Sequence, residues 1–105
     1  PLALFLQSAS PRAVVARLLR NLKEIHRQAG DWARLLLVMQ RLVVLLPEDW
    51  DERRDRGLAR AELGDAAGAV EDLRAYVENC PGAADVRVMQ ARADALSASS
   101  GPQVH

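Results

Sequence analysis

Few side chains in this sequence can do covalent chemistry: one cysteine, Cys80, and two histidines, His26 and His105. With an aspartate they could form a nucleophilic triad on paper, the thiolate attacking and the histidine handling the proton. Nothing in their spacing brings Cys80, His26 and an aspartate to one place. Cys80 falls at the end of a helical stretch, where the backbone dipole disfavours a thiolate, so it reads as a buried, inert thiol. His26 has no second His, Cys or paired carboxylate at ligand spacing and reads as a packed side chain. His105 lies in the tail. The sequence assigns no catalytic residue, no metal and no cofactor.

The chemistry that remains is recognition, and it depends on the elements that carry it. The phrase Gly30-Asp31-Trp32-Ala33 returns as Gly64-Asp65-Ala66-Ala67, and Pro47 returns as Pro81. Each pair is 34 residues apart, the period of a helix–turn–helix repeat. Ser10-Pro11 is a helix start, with a capping hydroxyl and a proline at the first helical position. Val14, Val15, Leu18, Leu19, Leu22 and Ile25 then recur at helical spacing, predicting a helix to about Ala29. Gly30 supplies a left-handed stop and Asp31 the next cap. Further helices are expected over Trp32 to about Leu46, Trp50 to Leu63 (opened by an Asp49/Glu52 capping box), Ala66 to Asn79, and Ala84 to Ala98. The fold class is all-α: two helix–turn–helix repeats and a C-terminal capping helix, a short α-solenoid. Residues 1–9 read as a lead-in or linker, 10–98 as the helical domain, and 99–105 as a disordered tail.

The second helix is apolar nearly all round. Trp32, Leu35, Leu36, Met39, Leu42, Val43 and Leu46 form its core face, while Leu37, Val38, Val44 and Leu45 fall on the opposite side. Such a helix is normally covered on more than one face, so these four residues are interface candidates. The third helix sets Arg53, Arg56 and Arg60 among acidic residues, which reads as a solvated, ion-paired surface.

Composition narrows the classes. Half of the 105 residues are apolar and only 4% aromatic, so the core must be aliphatic. Fourteen basic and fourteen acidic residues cancel, which argues against a nucleic-acid-binding face. No apolar run is long enough for a membrane span. A single cysteine cannot make an internal disulfide and fits a reducing cytoplasm. The chain opens on Pro1 without methionine, and is expected to be cut from a longer protein.

The glycine–aspartate corners, the closing prolines, Gly57 at the small position of the second unit and Ala69 at its alanine position together resemble the tetratricopeptide family. Lys23 and Leu35 depart from that pattern at the corresponding places in the first unit. A narrower resemblance rests on Ser10-Pro11-Arg12, Leu18 to Lys23, Gly30 to Ala33, Leu45-Leu46-Pro47 and Arg54 to Leu58. These runs are similar to the C-terminal part of the bacterial SirB/YchA family, in which a transglutaminase-like domain precedes tetratricopeptide repeats. The resemblance implies that any cysteine triad belongs to that preceding domain. It also implies that the same domain could cover Leu37, Val38, Val44 and Leu45, or the stretch from Arg20 to Lys23. The expected function is therefore a non-catalytic interaction or scaffold module. Its expected partner is its own N-terminal domain or a second copy, as a homodimer. In the alternative, the concave groove that such repeats present takes an acidic or extended peptide, with Arg17, Arg20, Asn21, Arg27 and Arg54 as contacts. A clamp for a terminal carboxylate is disfavoured, because Glu24 and Asp55 stand among the same groove residues and would repel it.

Overall fold

The repeated glycine–aspartate phrase is a physical device used twice. In the computed structural model, which describes residues 10–99, Gly30 and Gly64 adopt φ of 68° and 85°. A Cβ at either would meet nothing within 4 Å, so glycine is needed for the backbone angle and not for space. At both corners the same two bonds close the preceding helix. The amide of Gly30 donates to Arg27 O and that of Asp31 to His26 O; those of Gly64 and Asp65 donate to Ala61 O and Arg60 O. The aspartates then cap the next helix, Asp31 accepting from the Arg34 amide at 3.1 Å and Asp65 from the Gly68 amide at 2.9 Å.

Five helices result: α1 Pro11–Ala29, α2 Trp32–Leu45, α3 Trp50–Glu62, α4 Ala66–Asn79 and α5 Val86–Ser99. Ser10 caps α1 through its hydroxyl, which accepts from the Ala13 amide at 3.1 Å. The two proline stops are equally alike. Leu46 and Cys80 each end their helix with an amide-to-carbonyl bond of 2.8 Å, to Leu42 and Tyr76. Each then leaves the helical region because a proline follows. One expected cap differs: the Asp49 side chain makes no capping bond to α3. The capping helix begins two residues later than its spacing predicts, at Val86. No strand occurs among the described residues.

The chain divides into two compact units at Pro47. In the first, α1 packs on α2. The buried apolar residues are Ala16 on α1 and Leu35, Val38, Met39 and Leu42 on α2. In the second, α4 packs on both α3 and α5, with Ala59, Ala69, Leu73, Tyr76 and Ala93 buried. Gly57 lets α3 and α4 approach closely. A Cβ there would lie 3.0 Å from Asp72 Cβ and 3.2 Å from the carbonyl oxygen of Ala69. The stretches 1–9 and 100–105, read above as a lead-in and a tail, lie outside the described residues.

Candidate interaction surface

The arginines named from the sequence do not share one environment. Arg17, Arg20 and Asn21 are exposed on α1. Arg27, also exposed, pairs with Glu24 through Nε at 3.0 Å and a second, short bond from Nη2. Those bonds, with one from Gln28, hold the Glu24 carboxyl below its usual range. Arg54 is half-buried in the second unit. Its Nε donates to Asp55 at 3.0 Å and its Nη1 to Asp85 at 3.1 Å, and its guanidinium lies 5.3 Å over the Tyr76 ring. Desolvation works against its charge but is outweighed by Asp55, Tyr76 and Asp51, so its pKa rises. The Tyr76 hydroxyl donates to Asp85. That bond raises the tyrosine and lowers the carboxyl, the latter helped by the Arg54 charge. Arg54 is thus a structural group tying α3 and α4 to the start of α5.

The charged side of α3 is not simply solvated. Asp72 on α4 is fully buried. It accepts from Arg53 Nε at 3.1 Å, from Arg56 Nε and Nη2 at 2.8 and 2.7 Å, and from Arg60 Nη1 at 3.0 Å. The hydrogen bond to Asp72 is the main cause that raises the Arg56 pKa. Three guanidiniums on one carboxylate satisfy its lone pairs and offset its desolvation. The sequence carried a signal for this cluster: Asp72 interrupts the apolar stripe of Ala69, Leu73 and Tyr76, where an acid survives only if paired.

The first unit is different in kind. Of the α2 interface candidates, Leu37 is 60% and Val44 81% exposed, and Leu45 is half-buried. Val38 departs from the expectation: it is buried, next to Met39 and on the same side as Leu35 and Leu42. The reason is angular, since three- and four-residue steps from Leu35 and Leu42 reach position 38 as well as 39. Leu37, Val44 and Leu45 line one wall of a groove of about 550 Å³, and Val15 and Leu19 of α1 line the other. Among the described residues, Gln40 and Arg41 are its polar lining. Arg12 closes one end of this hairpin by donating Nε to Leu45 O at 2.9 Å, satisfying a carbonyl that the end of α2 leaves open.

Periodicity alone does not show that α1 turns its own stripe outward. Leu18 and Ile25 are 57% and 58% exposed, and Val15 and Leu22 are also exposed. On α1 only Ala16 is buried.

His26 is half-buried. So is Cys80, against the expectation of a buried thiol, because it sits at the end of α4 where the chain leaves the helix. The two belong to different units. Among the described residues no three His, Cys, Asp or Glu side chains gather as metal ligands, and no helix is long and apolar enough to cross a membrane.

Comparison with known proteins agrees with this architecture. A sequence model of the tetratricopeptide repeat matches residues 22–94. The chain is 34% identical over 89 residues to a UPF0162 protein of Xylella fastidiosa, covering 85% of this chain and 32% of that protein. It is 37% identical over 76 residues to the protein SirB1 of Salmonella typhimurium, covering 72% of this chain and 28% of that one. It spans about a third of the length of these relatives. No solved structure matches it. With paired helices, corners and stops at a 34-residue step and a family match over most of its length, the chain belongs to the tetratricopeptide repeat family.

Proposed function

We propose that this chain is a non-catalytic docking module, the C-terminal part of a larger bacterial protein, whose first helical pair receives the rest of that protein. Tetratricopeptide repeats suggest protein–protein interaction, and the finer reading rests chiefly on the α1–α2 groove. Leu37 and Val44 lie in water beside a cleft whose walls are aliphatic. A contiguous apolar surface of that kind generally marks an interface. The relatives supply a reason to look for the partner within the same polypeptide, because roughly two thirds of their length lies outside the match. Free Cys80 fits a cytoplasmic setting. An acidic peptide would have to displace Asp55 and Asp85 from Arg54, and Glu24 from Arg27, so the apolar surface takes precedence over the arginine groove.

Amide exchange compared between the 105-residue chain and the full-length protein tests this. The expected result is slower exchange across Leu37 to Leu45 in the longer protein, abolished by Leu37→Asp with Val44→Asp. Equal exchange in both forms rejects the reading.

A further inference from the structure

The exposed stripe on α1 has a spacing of its own. Val15, Leu18, Leu22 and Ile25 follow one another by three, four and three residues, the spacing of a seam between two helices. The groove uses the flank of α1 nearest α2, and shares only Val15 with this ridge.

What borders the ridge decides its occupant. At 3.6 residues per turn, the positions flanking it are Val14, Asn21 and Gln28 on one side, and Leu19 and His26 on the other. None carries a permanent charge. Arg17, Arg20, Lys23, Glu24 and Arg27 all fall on the far half of the helix. Arg12, the remaining arginine of α1, is turned to the carbonyl of Leu45. This matters because α1 is strongly basic: five of its six charged residues are arginine or lysine. Two such helices repel when their charges flank the contact, and here they do not.

We infer that this ridge pairs with the same ridge of a second copy, the two α1 helices running antiparallel about a twofold axis near residue 20. The stripe reads the same in both directions. An antiparallel pair therefore sets Leu18 against Leu22 of the other copy and Val15 against Ile25, with no apolar side chain facing a charge. An isologous contact requires this self-complementarity. The helix is already formed and capped at both ends by Ser10 and Gly30, so pairing need not meet the cost of ordering it. This inference does not depend on what fills the groove.

Sedimentation of the 105-residue chain over a concentration series is the test, with circular dichroism as the check on folding. The expected result is a doubling of mass as concentration rises. Leu18→Glu with Leu22→Glu is expected to abolish it while helicity stays unchanged, since both residues are exposed. A chain that stays monomeric up to millimolar concentration overturns the inference. So does a doubling that survives both glutamates, or one that only Leu37→Glu removes, which moves the contact into the groove. Register is read by oxidation in a Cys80→Ser background. Leu18→Cys protein mixed with Leu22→Cys protein is expected to cross-link in preference to either alone. A preference of like for like overturns the antiparallel arrangement.

Discussion

Two kinds of residue hold this chain in shape, and substitution separates them. Gly30 and Gly64 are required by their positive φ, whereas Gly57 is required by the closeness of α4. Gly30→Ala is expected to cost about 1 kcal/mol, the strain of an L-residue in the left-handed region. Gly57→Ala is expected to cost about 1–3 kcal/mol, because Asp72 Cβ and the Ala69 carbonyl must give way. A larger effect is expected at Asp72. Asp72→Ala leaves three half-buried guanidiniums without their shared carboxylate, a loss of roughly 3–5 kcal/mol. Asp72→Asn keeps the shape and an acceptor oxygen but not the charge, and should fall between Asp72→Ala and wild type. Urea midpoints of the four variants rank these costs. An Asp72→Ala midpoint equal to that of wild type would show the cluster to be dispensable.

At the scale of elements, most features with a local cause were legible in the sequence, the Asp49 cap of α3 being an exception. Caps, left-handed corners and proline stops act within a few residues, so Ser10, Gly30, Asp31, Pro47 and their later counterparts marked helix ends almost to the residue. Sequence reading failed where the cause was tertiary. Periodicity shows that Val15, Leu18, Leu22 and Ile25 share a side of α1, but only packing decides that this side is left in water. The same limit governs Arg54, which is held by Asp85 of a later segment. The burial of Val38, by contrast, follows from its three- and four-residue steps to Leu35 and Leu42 and was legible in the sequence. Helices α2 and α1 should differ in stability accordingly. Four residues of α2 are buried and one of α1, so α1 has little to hold it beyond its caps and its packing on α2. Under dilute conditions the amides of α1 are expected to exchange faster than those of α2. Equal protection along both helices would refute this.

For the molecule as a whole, acid and base should act most visibly on the second unit. Asp85 has its carboxyl held below 3.8 by the Tyr76 hydroxyl and then by the Arg54 charge, so its contribution to stability is complete above that value. It is lost as pH falls through the lowered native value, because the unfolded chain then binds the proton more readily. Tyr76 works in the opposite direction. Its pKa is raised from 10.0, chiefly by the bond to Asp85. Its contribution is therefore complete below pH 10 and is lost as pH rises through the raised native value. Together the two groups fasten α4 to the start of α5 between these limits, with Arg54 of α3 joining them. Thermal unfolding followed across pH should show a plateau that declines on the acid side below 3.8 and on the alkaline side above 10. Tyr76→Phe removes the alkaline arm and makes the acid one shallower, because it deletes the titrating hydroxyl and the chief donor to Asp85 while Arg54 still favours the charged carboxyl. Asp85→Asn removes the acid arm and relaxes the alkaline one. If Tyr76→Phe leaves the acid decline as steep as in wild type, the decline comes from other carboxylates, of which Glu24 of the first unit, itself lowered by Arg27 and Gln28, is the first to test.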